Sequence, residues 1–328
     1  MEIAYASPLS GRRLALVTEF LRKQELDYDP GCTFSVLIFE NDELVATGSL
    51  EKNILKCIAV SPDCQGEGLA AKVVSELVSQ AIRQGQRRLF LFTKPHNRIL
   101  FGGLGFYPVA ATSHILLMEN ERDGVKKFVE SVRQPDAVPA GAIVANCNPF
   151  TNGHRWLVET AAKACERLYV FVLSEEQPPF PAADRLRLVQ EGTADLENVT
   201  VCPTGPYLIS SATFPTYFIK EKDQAADFNA ELDLTIFAEC FAKPLGITKR
   251  FVGTEPFCQV TSRYNQQMKA ILPAHGIEVA ELTRFAQDGQ AVSASRVRAL
   301  LAEGKLEELR RLVPETTYRY LKEGFPNG

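Results

Sequence analysis

Ala142-Ile143-Val144-Ala145-Asn146-Cys147-Asn148-Pro149-Phe150-Thr151-Asn152-Gly153-His154-Arg155 is the stretch on which the reading of this chain turns. Ala142 to Ala145 is a short apolar run that predicts a buried strand. The loop after it carries Pro149, Thr151, Asn152, Gly153 and His154, and a helix is expected from about Arg155 to Ala164. Leu168 to Leu173 returns as a strand, so the succession predicts a parallel pair in a doubly wound sheet. The start of such a helix presents unpaired backbone N–H groups and a positive dipole end, where phosphate binds. Gly153 permits close approach of backbone to ligand. His154 and the Thr151 hydroxyl are placed to donate to phosphate oxygens as charge grows in a transition state. Taken alone, the loop reads equally as a plain strand-to-helix connection with one surface histidine.

A second element lies near the other end, in Val292-Ser293-Ala294-Ser295-Arg296-Val297-Arg298. Ser295 suits a helix N-cap, and Arg298 falls about one turn into that helix, where both would face a triphosphate. Arg296 would point elsewhere on the same helix. The two elements resemble the T/H-x-G-H and I-S-x-S/T-x-x-R signatures of the nucleotidyltransferase superfamily, which includes phosphopantetheine adenylyltransferases and class I aminoacyl-tRNA synthetases. Thr151 stands where many members carry His, and brings a weaker donor.

The resemblance narrows along the whole chain to the citrate lyase ligase family. It is carried by Asn146 to Arg155, by Pro181-Ala182-Ala183-Asp184-Arg185, by Tyr207-Leu208-Ile209-Ser210-Ser211-Ala212-Thr213-Phe214-Pro215, by Val252-Gly253-Thr254-Glu255-Pro256-Phe257 and by Ser293 to Arg298. The resemblance implies an ATP-dependent ligase acting in two steps. Acetate attacks the α-phosphate of ATP to give acetyl-adenylate and pyrophosphate. The thiol of the prosthetic group on the citrate lyase acyl carrier subunit then takes the acetyl group and releases AMP. It implies ATP with Mg2+ bridging the phosphates. His154 and Thr151 would stabilise the α-phosphate transition state, while Arg298 and Ser295 would hold the β- and γ-phosphates. Asn148 would position the carboxylate or an α-phosphate oxygen, and Asn148, Pro149, Phe150, Gly153 and Ser293 would be among the residues that bind ATP. Gly253 and Thr254, at a predicted strand end, would touch adenosine. Arg185 is either a phosphate or acyl contact or one half of a surface ion pair. Ser210, Ser211 and Thr213, ahead of Lys220, form either a wall of the site or an ordinary turn.

The N-terminal part reads as a different α/β unit. Phe34 to Phe39, Glu43 to Leu50 and Ile54 to Val60 are three predicted strands, with a turn at Asn41-Asp42. A helix from about Gly68 to Gln84 places Leu69, Val73, Leu77 and Ala81 at spacings of four, and Leu89 to Phe92 is a further buried strand. Val60-Ser61-Pro62-Asp63-Cys64-Gln65-Gly66-Glu67-Gly68-Leu69-Ala70 resembles the Q/R-x-x-G-x-G/A motif of GCN5-related acetyltransferases (GNAT). Asn97 and Phe101-Gly102-Gly103-Leu104-Gly105-Phe106-Tyr107 resemble a later element of that fold. Gln65, Gly66, Gly68 and Ala70 would then cradle the pyrophosphate of a CoA-like arm. Tyr107 is either a catalytic acid or a core aromatic. The expectation is that this domain binds the carrier's prosthetic group and does no acetyl-CoA chemistry of its own.

Composition sets the outer limits. At 328 residues two domains are expected: 1–120, a polar and proline-interrupted linker at 121–139 with a short helix near Val125 to Val132, and 140–328. With 36 basic and 40 acidic side chains the net charge is −4, which disfavours nucleic acid and anionic membrane as partners. Met1 to Ser10 has no basic stretch followed by an apolar run, and no window approaches the roughly 20 apolar residues of a membrane span. Eight scattered cysteines without a C-x-x-C pair, and four unclustered histidines, point to reduced thiols in the cytoplasm and to no protein-built metal site. Rival readings are a cofactor-building adenylyltransferase of the phosphopantetheine or nicotinamide type, an acetyl-CoA-dependent acetyltransferase, and a non-catalytic nucleotide- or carrier-binding module.

Overall fold

The computed structural model describes residues 1–136, 138–208, 218, 224–255, 259–287 and 290–324. The chain forms two compact units, Met1–Val125 with Ser211–Thr235, and Lys126–Ser210 with Ile236–Gly328.

In the first unit the strands are β1 (Glu2–Ala6), β2 (Phe34–Glu40), β3 (Glu43–Glu51), β4 (Ile54–Val60), β5 (Phe90–Thr93), β6 (Tyr107–Ala111) and β7 (Leu116–Glu119), with helices α1 (Gly11–Lys23), α2 (Leu69–Arg83) and α3 (Arg98–Gly103). They pair in the order β1-β2-β3-β4-β5-β7-β6. The two-residue turn at Asn41 and Asp42 takes positive φ at both positions, as the right-handed twist of a tight hairpin demands. Leu69, Val73, Leu77 and Ala81 all lie buried along one stripe of α2, as their spacing predicted. The register of β4 and β5 is parallel, and it is limited to Ile54 with Phe90 and Leu55 with Leu91. Beyond those pairs no ladder joins the two strands, and the gap between them becomes a groove.

The second unit begins with α4 (Gly124–Val132), near the short helix read within 121–139. It continues with β8 (Ala140–Ala145), α5 (Asn152–Ala162), β9 (Arg167–Val172), α6 (Ala182–Gly192) and β10 (Val199–Pro203). Helix α7 (Ala225–Ile236) belongs to the first unit through Thr235, and the second resumes at Ile236 with a π-helical turn at Phe237–Ala242 that leads into α8 (Lys243–Leu245). Then come β11 (Ile247–Gly253), α9 (Gln259–Ile271), β12 (Glu278–Leu282) and a small hairpin, β13 (Ala286–Gln287) with β14 (Gln290–Ala291). Helices α10 (Ala294–Ala302), α11 (Leu306–Leu309) and α12 (Glu315–Glu323) complete the unit.

All pairs in its five-stranded sheet are parallel, in the order β10-β9-β8-β11-β12. The doubly wound expectation is met. Strands buried on both faces need near-continuous apolar runs, and Leu168 to Val172 is such a run, all of it buried. The chain order reverses between β8 and β11, so the crevice at their carboxyl ends is where this topology binds ligands. Val158, Val170, Phe251, Val297, Leu312 and Leu321 share one core, which draws α10 and the C-terminal helices against the α5 side of the sheet.

Candidate active site

The helix after β8 begins three residues earlier than its polarity suggested, at Asn152, because Thr151 caps it. Thr151 Oγ1 accepts the His154 backbone N–H at 3.3 Å, and His154 Nδ1 accepts the Thr151 N–H at 3.1 Å. This reciprocal pairing is a capping box with histidine in the place usually held by glutamate. His154 is therefore a residue of the first helical turn with a fixed ring. Because Nδ1 serves as an acceptor, the bonding pattern assigns the ring proton to Nε2. Burial, followed by the Arg284 charge, holds the ring's pKa down at about 4. At neutral pH His154 is an uncharged Nε2–H donor. Phe150 lies parallel to it, with ring centroids 6.0 Å apart.

The two signatures form one cluster. Arg298 Nη1 donates to the Asn148 carbonyl at 2.5 Å and its Nη2 to Ser295 Oγ at 3.2 Å, joining residues 150 positions apart. A Cβ on Gly153 would stand 2.9 Å from the Val292 carbonyl oxygen. The glycine thus serves an approach between two protein segments as well as any approach to a ligand. Gly153→Ala is expected to cost about 1–3 kcal/mol by overpacking and, where added nucleotide raises the melting temperature, to shrink that rise. Thermal melts with and without nucleotide check this, and unchanged melts would remove the close approach from the account.

Several expected site residues have other duties. Ser293, not Ser295, caps α10, accepting the Arg296 N–H at 3.2 Å; Ser295 is exposed in the first turn beside Arg298. Pro149 and Phe150 are buried, and Phe150 fills core space against Gly192. The Asn148 amide hydrogens face the carbonyls of Gln177 and Pro178 at 3.1 and 3.3 Å, so the group shapes the loop in this geometry. Asn152 ties α5 to the C-terminal segment through the carbonyls of Leu312 and Arg311, at 2.9 Å each. Arg185 is no surface ion pair: it is fully buried, and its guanidinium holds the carbonyls of Asn146 and Glu175 and the Asn146 side chain. Ser210, Ser211, Thr213 and Lys220 lie outside the described residues.

The cavity at the β8–β11 switch point is about 370 Å3 and is lined by Thr151, Gly153, His154, Gly253, Thr254 and Ser293 among others. Its far wall was not legible in the signatures. Trp156 and Phe285 stack there, with centroids 6.3 Å apart. Arg284, just beyond β12, donates its backbone N–H to Thr254 Oγ1 at 3.1 Å and pairs with Glu255 at 2.9 Å. A titratable pair at the end of a predicted strand was the available signal. Without the sheet order, nothing joined β12 to His154. The polar apolar-walled crevice, helix N-terminus and neutral donor suit a nucleotide's phosphates. The carboxylate among the described lining residues is Glu255, and Arg284 holds it.

In the first unit, Gln65, Gly66, Gly68 and Ala70 line a groove of about 630 Å3. Its walls come from Ile58 to Val60 on β4 and Phe92 to Lys94 at the end of β5, where the ladder stops. Gly66 and Gly68 both take positive φ, at 89° and 78°, a conformation that side-chain-bearing residues rarely adopt. Asn97 lines the groove and donates to Thr93 Oγ1 at 2.8 Å. Tyr107 does not; it is 39% exposed on β6, beneath the Arg122 guanidinium, and is neither core nor groove.

The family described as citrate lyase ligase C-terminal domain matches residues 140–321. The [citrate [pro-3S]-lyase] ligase of Klebsiella pneumoniae is 44% identical over 95% of this chain and 93% of its own length. The chain belongs to the citrate lyase ligase family. The Escherichia coli K12 ligase is 40% identical over 95% of the chain and 91% of its own length. Residues 6–106 match the acetyltransferase (GNAT) family, so this ligase carries that fold ahead of its citrate lyase ligase C-terminal domain. Among solved structures, Thermotoga maritima TmcAL bound with alpha-thio ATP is 15% identical, covering 57% of this chain and 56% of that one at a TM-score of 0.39.

Proposed function

We propose that this ligase acetylates the thiol prosthetic group of the citrate lyase acyl carrier subunit in two steps at the cavity of its second unit, in the cytoplasm. An acetate oxygen bonds to the α-phosphorus of ATP as the bond to the β-phosphate oxygen breaks, and pyrophosphate leaves. The carrier thiol then attacks the acetyl carbonyl, loses its proton, and AMP departs. The observation that carries this reading is that Thr151, Gly153, His154 and Ser293 of the two signatures line one crevice, with Arg298 joining the two segments through the Asn148 carbonyl, in a chain 44% identical to a citrate lyase ligase. His154 Nε2–H would stabilise charge growing on the α-phosphate, Thr151 would hold the ring, and Arg298 and Ser295 would meet the outer phosphates. Magnesium would neutralise phosphate charge. Gly253 and Thr254, at the β11 end, would face the nucleoside.

The groove of the first unit, with Gln65, Gly66, Gly68 and Ala70, would take the CoA-like arm of the carrier. The division of labour is 1–120 for the arm and 140–328 for adenylylation. Pyrophosphate release from ATP, measured with acetate and with or without the thiol-form carrier, tests the reading. Acetate-dependent release is expected, with AMP accumulating only when the thiol carrier is present. Release that ignores acetate, or AMP left attached to an acceptor, would replace the ligase by an adenylyltransferase. Acetyl transfer without ATP would move the chemistry to the first unit.

A further inference from the structure

Neither signature includes Arg284, yet its surroundings are built. Its backbone N–H is fixed by Thr254 Oγ1 at 3.1 Å, and its Nη1 by both oxygens of Glu255 at 2.9 and 3.0 Å. The side chain is 29% exposed and that of Glu255 14%. Among the described residues these are all the hydrogen bonds Arg284 makes, so Nε–H and both Nη2–H groups have no protein acceptor. A guanidinium anchored through one nitrogen keeps a planar two-nitrogen edge, the shape that matches a carboxylate or phosphate.

Position narrows the ligand. The basic residues lining the second-unit cavity, among those described, are Arg250 and Arg284. Arg250 is 2% exposed, with its guanidinium carbon 4.2 Å over the Phe237 ring. That leaves Arg284 as the lining cation open to a ligand, and its charge reaches His154 in the same space. The adenylylation reading brings an anionic carboxylate against an anionic phosphate. Two like charges at bonding distance repel strongly in a partly dry site unless a cation is beside them.

We propose that the free Nε/Nη2 edge of Arg284 binds an oxyanion of the reacting pair, either the acid's carboxylate or the α-phosphate it attacks. The inference rests on the adenylylation reading and adds the residue that lets the two anions meet. Glu255 is then a positioning residue that aims the edge.

Trp156, the single tryptophan of the chain, lines the cavity and stacks on Phe285 next to Arg284, so its emission is the probe for ATP binding. The test uses the full-length chain as wild type, Arg284→Gln and Arg284→Lys, with ATP titrated by Trp156 emission and acetate varied in pyrophosphate release. Loss of a charge-assisted bidentate contact should cost about ten- to hundredfold. If the edge holds the carboxylate, the acetate KM of Arg284→Gln rises by that factor and ATP affinity stays put. If it holds the α-phosphate, the ATP Kd rises and the acetate KM does not. A rise in either or both supports the inference, with Arg284→Lys recovering only part because it keeps the charge and loses the fork. Unchanged ATP Kd and acetate KM in Arg284→Gln overturn it, whether or not kcat falls. A wild type that neither responds to ATP nor releases pyrophosphate sinks the ligase reading and this inference together; a competent wild type with an indifferent variant sinks the inference alone.

Discussion

His154→Ala leaves acetate-dependent pyrophosphate release at roughly a hundredth to a thousandth of the wild-type rate, the usual cost of removing one preorganised donor to a growing oxyanion. ATP binding is expected to change much less, because in the proposed site the ring contributes most when charge builds on the α-phosphate, while the helix N-terminus and Arg298 proposed for the ground-state phosphates are left in place. Thr151 still caps α5 in the variant, so the helix persists. His154→Gln should recover part of the rate by returning an N–H donor. Near-normal turnover in His154→Ala, measured with ATP and acetate saturating, would overturn the central assignment.

The pH dependence follows from the same ring. Its pKa lies at about 4 against an ordinary 6.5, lowered first by burial and then by Arg284. A depressed histidine pKa means that the unfolded chain takes up the proton first. The ring's contribution to stability is complete above about pH 6.5 and is lost as pH falls toward 4. Protonation also puts a hydrogen on Nδ1, which ends its acceptor bond from the Thr151 N–H. The acid limb of the rate should therefore fall near pH 4 and not near 6.5, and His154→Ala should lose the feature. A limb at pH 6.5 that survives in His154→Ala belongs to another group.

Arg298→Ala has the second largest effect, a drop of roughly a hundredfold in kcat/KM for ATP. Arg298 has two functions that this change removes together. It ties the Asn148 carbonyl to Ser295 and so holds the α10 start against the loop before α5. It also carries the charge proposed to meet the outer phosphates. Arg298→Lys separates the two: charge persists, while one ammonium cannot span both acceptors with the same planar geometry. Trp156 titration should show an ATP Kd raised about tenfold or more in Arg298→Ala and by less in Arg298→Lys. Ser295→Ala, which removes an exposed hydroxyl, should change little by comparison. If ATP binds Arg298→Ala as tightly as wild type, the phosphates lie elsewhere and the tie to Asn148 is structural only.

Much of the site was legible because chemistry there is local in sequence. Thr151, Gly153 and His154 occupy one loop and turn, so a four-residue pattern carries the donor, its cap and the close approach. The cap itself was misplaced at the other signature. Ser293 and Ser295 are both good capping residues, and only the backbone, extended at Ser293, shows which one receives the Arg296 N–H. Phe150 and Asn148 belonged to the right motif, but burial and the Gln177 and Pro178 carbonyls give them shaping duties that no pattern encodes. Arg185 was ambiguous between site and surface for the same reason: a helix position does not reveal what the helix faces. Its carbonyl partners come from two separate loops.

By itself the sequence determined the strand–loop–helix unit and the presence of a second α/β fold with a glycine-turned loop. These rest on periodicity, on cap and turn chemistry, and on residues adjacent in the chain. Only tertiary structure decided that β11 pairs beside β8. That reversal of strand order carries Gly253, Thr254 and Glu255 to the carboxyl-end crevice and brings Arg284 from beyond β12 into electrostatic reach of His154. The physical reason is range: capping and turn preferences act over three or four residues, whereas Arg284 lies 130 residues from His154 and meets it only through the packing of a five-stranded sheet.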